Sequence, residues 1–161
     1  MMTTAELICT ALLMMSSPRA EYACKHMDAV VQHSEQYNID PILLVSLIHV
    51  ESRWSPKAKS KAGACGLTQI IPKFSRKFGY VGCRQLQNNP ELAIKKGAQI
   101  LSYWIYNYAQ KNISVGLCAY NAGYRCKGKN KNEKGVRYAK KVLQMYRKIG
   151  LWMTPGCMHR E

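Results

Sequence analysis

The chain has 161 residues, 47% of them hydrophobic, with 24 Lys and Arg against nine Asp and Glu and a formal net charge of +15. A domain of this length hides roughly 70% of its unfolded surface, so one domain with its own core is expected, and the hydrophobic content argues against disorder. The charge points to a polyanionic partner. Two Asp in the whole chain, Asp28 and Asp40, are too little material for a carboxylate cage around Mg²⁺ or Ca²⁺.

The first element is a short apolar run, Leu7 to Met15, followed by Ser16, Ser17, Pro18 and then Ala20 and Ala23. It reads as the apolar region and small-residue cleavage site of a secretory leader covering residues 1–23. No Lys or Arg precedes the run and Glu6 is acidic, so an amphipathic helix docked on the domain is the alternative. The run is shorter than the ~20 apolar residues of a transmembrane helix. Loss of the leader removes Cys9 and leaves Cys24, Cys65, Cys83, Cys118, Cys126 and Cys157. An even set suits an exported, disulfide-bonded domain over residues 24–161, periplasmic or extracellular. The expected pairs are Cys118–Cys126, which closes a short loop, then Cys65–Cys83 and Cys24–Cys157. Zinc is the competing use of these residues, but no C-x-x-C pair is present and the four His lack ligand spacing.

The remainder reads as helices, with no convincing strand alternation. His26 to Asn38 has Ala29, Val30 and Tyr37 on one side. Asp40-Pro41 opens the next helix, with Asp as cap and Pro in the first turn. Ile42 to Val50 is almost continuously apolar, so that helix is buried nearly all round. Residues 55–66 form a loop rich in Ser, Lys, Gly and Ala. Thr68 to Phe78 is predicted as a short helix. Asn89-Pro90 opens a long one with the stripe Ile94, Ala98, Leu101, Ile105 and Tyr108. Ser114 to Asn121 is a short buried helix. A Lys, Gly and Asn loop over 125–135 precedes the last helix, Val136 to Ile149, which Gly150 is expected to stop. The fold class is mostly α, one domain of about six or seven helices.

Glu51 stands at the C-terminal end of the most apolar helix. Burial and the negative end of the helix dipole both disfavour its ionised form. A carboxyl held protonated near neutral pH is what a general acid requires. Taken alone, the position also fits a Glu that ends a helix in water.

Other segments add to it. Glu51-Ser52 is followed by Gly63-Ala64-Cys65-Gly66-Leu67-Thr68-Gln69-Ile70, then Ala119-Tyr120-Asn121-Ala122-Gly123, then Tyr138-Ala139-Lys140-Lys141-Val142. In order and spacing these resemble the signatures of the soluble lytic transglycosylases, relatives of goose-type lysozyme. The matches span roughly residues 39–145. The small size and the Arg137-Tyr138-Ala139-Lys140-Lys141 segment look most like members that accompany secretion, conjugation or pilus machines.

The resemblance implies a lysozyme-like α fold with a glycan groove and no cofactor or metal. It implies cleavage of the β-1,4 bond between N-acetylmuramic acid and N-acetylglucosamine in peptidoglycan, with a 1,6-anhydro product. Glu51 matches the catalytic acid and base. Tyr120 matches the tyrosine near the anomeric centre, Gln69 the glutamine lining the cleft, and Asn121 a holder of an N-acetyl group or of the loop. Ser52 would orient Glu51. Tyr138 is the late-helix aromatic, with a core role as the alternative. Two positions depart from the family pattern. Thr68 stands where relatives carry a sugar-contacting Met, and Lys134, next to Glu133, stands where many carry Glu.

The scarcity of acids fits this chemistry. A two-carboxylate glycosidase flanks the bond with two acids, and with the terminal acids set aside only Glu91 and Glu133 remain as candidates besides Glu51. Glu91 is already explained by its place in a helix first turn. A muramidase that uses water is the first alternative. The second is a basic nucleic-acid-binding protein, favoured by charge and ten Tyr; no groove-reading motif supports it, so no specific nucleic-acid partner is expected. The expected state is a monomer on peptidoglycan strands.

Overall fold

The computed structural model describes residues 1–154. It contains eight α-helices among those residues: α1 Thr4–Met14, α2 Ala20–Lys25, α3 Met27–Gln36, α4 Pro41–Ser52, α5 Cys83–Asn88, α6 Pro90–Ser102, α7 Ile113–Ala122 and α8 Glu133–Met153. The mostly α expectation holds, with more helices than anticipated. The extra ones are α1 and α2 before the first expected helix and the one-and-a-half-turn α5.

Helix starts follow from local chemistry. Asp40, Asn89, Asn112 and Asn132 each accept a backbone N–H of the first turn, at 2.8, 3.0, 3.0 and 2.8 Å, so four long helices begin on an Asp or Asn side chain. Thr3 and Glu6 form a reciprocal capping box at α1. In α4 every residue from Leu43 to Ile48 is buried, as an apolar run without a polar face requires. It packs against α3 and α8, and α8 also lies along α7. This places the C-terminal end of α4 beside α8.

Three sequence expectations are corrected. Thr68–Phe78 is not one helix. Gln69 takes φ 50° and Ile70 pairs with Cys65 in an isolated bridge, so the segment turns back before Pro72. Only two 3-10 turns follow, Pro72–Phe74 and Arg76–Phe78. Gly150 does not stop α8, which runs on to Met153 because Trp152 and Met153 pack against the core. That packing outweighs the ~1 kcal/mol that Gly costs inside a helix. The third correction concerns the cysteines. Cys65–Cys83 and Cys118–Cys126 pair as expected, but Cys24 pairs with Cys9 and not with Cys157. Ile8 and Leu12 of α1 are fully buried, which brings Cys9 to α2. Cys157 lies outside the described residues.

Candidate active site

The thirty residues between α4 and α5 leave the end of α4 and return to it at Leu67. Arg53 and Trp54 follow Ser52 with φ of 48° and 61°, which turns the chain sharply away from the helix. Trp54 is fully buried and anchors the turn. Gly66 has φ +77°, and a Cβ there would stand 2.9 Å from the Leu86 carbonyl oxygen, so only glycine lets this loop rest on α5.

Three helices then hold the same two residues of the loop. From α4, Ser52 Oγ donates to the Leu67 carbonyl at 2.8 Å. From α7, the Tyr120 hydroxyl donates to the Thr68 carbonyl at 2.7 Å. Thr68 Oγ1 donates to the Ala93 carbonyl of α6 at 2.7 Å. The loop is fixed against three elements, and the carboxyl on the last turn of α4 sits within that frame.

Glu51 Oε1 accepts a 2.6 Å hydrogen bond from the Tyr138 hydroxyl of α8. Burial raises the Glu51 pKa to about 7, and the Tyr138 bond opposes the rise. Burial likewise pushes the Tyr120 and Tyr138 phenols well up, with the Glu51 charge adding to it, so both are donors at neutral pH. Among the described residues no other carboxylate contributes to the Glu51 shift. Glu91 meets His33 at 3.3 Å and Glu133 pairs with Arg137 at 3.5 Å, at the starts of α6 and α8.

The structure thus brings Glu51, Ser52, Tyr120 and Tyr138 to one place, together with the 67–69 backbone. Ser52 bonds to Leu67 and to the Ile48 carbonyl, so it fixes the loop and not the carboxyl. Tyr120 takes Thr68 as its partner, and the hydroxyl on Glu51 is that of Tyr138. Gln69 spends its amide on the Ala58 and Gly66 carbonyls, at 3.2 and 3.0 Å. Thr68 is fully buried against α6, with its hydroxyl on the Ala93 carbonyl. Asn121 is exposed at the end of α7. Sequence reasoning missed the carbonyls of Leu67 and Thr68 as anchor points, since a carbonyl carries no residue signature. Two open concavities, of about 220 and 410 Å³, lie at the start of α8 and beside the start of α4, and none of the residues around Glu51 lines them.

A partly buried acid at the end of an apolar helix, hydrogen-bonded by a tyrosine and framed by a pinned loop, makes a candidate acid–base site on a helical domain. The family model "Transglycosylase SLT domain" matches residues 28–143. Invasion protein IagB of Salmonella typhimurium is 31% identical over 128 residues, covering 76% of this chain and 77% of that protein. Membrane-bound lytic murein transglycosylase C of Glaesserella parasuis is 36% identical over 115 residues, 63% of this chain and 31% of that protein. The transglycosylase of Enterobacteria phage PRD1 is 31% identical over 90 residues, 56% of this chain and 32% of the relative. The chain therefore spans about a third of the last two proteins. The fold matches lytic transglycosylase Slt of Pseudomonas aeruginosa, solved as an inactive Glu-to-Gln mutant, with a TM-score of 0.68 at 18% identity over 93% of this chain and 31% of that one. The chain belongs to the SLT transglycosylase family.

Proposed function

We propose that this protein is a peptidoglycan lytic transglycosylase with Glu51 as its one catalytic carboxyl. Glu51, with a pKa of about 7, donates its proton to the oxygen that leaves as the C1–O4 bond breaks between muramic acid and glucosamine. The resulting carboxylate takes the proton from the muramyl 6-hydroxyl as that oxygen bonds to C1. The product is a 1,6-anhydro sugar, water is not consumed, and Glu51 returns to its acid form. Tyr138 holds the carboxyl in place through its 2.6 Å bond. The single supporting observation is that Glu51 has a tyrosine but no second carboxylate as neighbour among the described residues, which suits a nucleophile supplied by the substrate. Gln69 and Asn121 would line the groove around the two sugars.

Digestion of purified sacculi followed by mass spectrometry tests this. Wild type should release muropeptides lighter by one water than hydrolysed ones, and Glu51→Gln should release none. Hydrated products would establish the muramidase, and a fully active Glu51→Gln would remove Glu51 from the mechanism.

The relatives' names include a phage transglycosylase and an invasion protein. They support service to a secretion, conjugation, pilus or phage apparatus at the wall. Among the described residues no helix is long and apolar enough to cross a membrane. Export with removal of residues 1–23 is supported by the small residues around Ala20 and Ala23. The burial of Ile8 and Leu12 and the Cys9–Cys24 bond support the other reading, in which α1 stays as a docked helix. N-terminal sequencing of the mature protein separates the two.

A further inference from the structure

Helix α6 does not end at Ser102. It continues as a π-helical turn, Tyr103–Tyr108, with the sequence Tyr-Trp-Ile-Tyr-Asn-Tyr. Such turns often sit at functional sites. Ile105 alone is buried there, and three of the four aromatic rings join a half-buried cluster at the edge of the core. Tyr103 meets Phe78 edge-on at 5.4 Å and Trp104 at 5.2 Å. Trp104 and Tyr108 in turn support Tyr124, at 4.9 and 5.4 Å.

Tyr124 is 65% exposed, yet it is held on several sides. Its hydroxyl meets that of Tyr103 at 2.9 Å, and its carbonyl accepts from the Tyr108 hydroxyl at 2.9 Å. Its loop is closed by Cys118–Cys126. An aromatic ring presented to water and fixed from beneath costs little further order on binding. Two ammonium groups flank the cluster: Lys77 lies 3.7 Å above Tyr103, and Lys127 lies 4.4 Å above Tyr108. Residues 52–90 and 92–132, which build this surface, contain no Asp or Glu at all.

The place of the cluster matters as much as its chemistry. Phe78 ends the segment that begins with Thr68 and Gln69. Tyr124 stands three residues beyond Asn121, on the segment that carries Tyr120. The cluster therefore draws Phe78 and Tyr124 from the same two segments that meet at the Tyr120–Thr68 bond.

We propose that Tyr124, backed by Tyr103 and Trp104 and flanked by Lys77 and Lys127, is a separate binding platform for one carboxylate-bearing saccharide unit of a glycan strand. The C–H face of a pyranose packs on the exposed Tyr124 ring. The ammonium groups take the carboxylates of a lactyl ether or attached peptide. The saccharide identity rests on the function proposed above. A run of nucleic-acid bases would need several free ring faces. Here the rings pack edge to face, and lysines cover one face each of Tyr103 and Tyr108, which leaves Tyr124 as the one freely presented ring of the cluster.

The test is a fluorescence or calorimetric titration of the full chain carrying Glu51→Gln, so that ligand is not turned over. The probes are a muramyl-peptide tetrasaccharide, neutral chitotetraose and a twelve-base oligothymidylate. Tyr124→Ala should weaken muramyl-peptide binding at least fivefold with the melting temperature kept, and Tyr124→Phe should restore it. Lys77→Ala with Lys127→Ala should weaken the muramyl peptide but not chitotetraose. Unchanged muramyl-peptide affinity in Tyr124→Ala overturns the platform, as does oligothymidylate binding tighter than the saccharide and lost with Tyr124. If Tyr124-dependent binding persists while wild type releases no anhydro product, the platform stands and the proposed activity fails. If anhydro product is released while Tyr124→Ala binds normally, the activity stands and the platform fails.

Discussion

The Tyr138 hydroxyl reaches Glu51 Oε1 at 2.6 Å across 87 positions of sequence. This one bond joins α8 to the end of α4 and sets two opposed influences on the acid. Burial favours the protonated carboxyl, and the phenol stabilises the ionised one.

Removing the phenol should therefore move the acid further up. In Tyr138→Phe the alkaline limb of the pH–rate profile should shift to higher pH, because the bond that favoured the carboxylate is gone. Activity at pH 6 should fall about tenfold through lost orientation, equal to roughly 1.4 kcal/mol of barrier. A drop in melting temperature with an unmoved pH profile would reduce Tyr138 to a core residue.

Glu51 also makes folding pH-dependent. Its folded pKa of about 7 lies above the ordinary value of 4.5, so the folded state binds more protons between those limits. Stability should fall as pH rises through that window, and the full cost should be present above it. Glu51→Gln abolishes the titration. It should stabilise the protein by about 2 kcal/mol at pH 8, less than the whole shift implies because the carboxyl is only partly shielded, and by little at pH 4. Urea titrations at the two pH values measure the difference, and equal effects at both would contradict the burial of the acid.

Gly66→Ala and Gly63→Ala form a matched pair. Both glycines have positive φ, +77° and +85°, but a Cβ at Gly63 has nothing within 4 Å whereas one at Gly66 meets the Leu86 carbonyl at 2.9 Å. Backbone strain alone should cost about 1–2 kcal/mol at Gly63. Gly66→Ala should cost about 1–2 kcal/mol more and lower activity by lifting the loop from α5. Thermal melting and sacculus digestion read both, and equal losses would mean that the contact with α5 is unimportant.

Thr68→Val tests whether this side chain acts on substrate. Its hydroxyl bonds only to Ala93, and the residue is fully buried. Stability should fall by about 1 kcal/mol for one lost hydrogen bond, while KM for sacculi or soluble muropeptides stays the same. A several-fold rise in KM would show that Thr68 reaches the sugar.

The sequence by itself determined the helices that carry the site, because their signals are local. Asp40, Asn89 and the apolar run from Ile42 mark caps and burial through near neighbours in the chain. Glu51 was legible for the same reason, as an acid at the end of a helix with no polar face. Short loops also pair their own cysteines, so Cys118–Cys126 could be read directly. What Tyr138, Tyr120 and Ser52 do was not legible. Each chooses among partners 87, 52 and 15 positions away, and only packing brings those partners within reach. Tertiary contacts also overrode local signals: α8 continues through Gly150, the 68–78 segment folds back on a bridge, and burial of α1 gives Cys24 to Cys9. Sequence determined which groups the site contains; the three-dimensional packing decided which of them touch, because hydrogen bonds and desolvation act over a few ångströms of space whatever the distance along the chain.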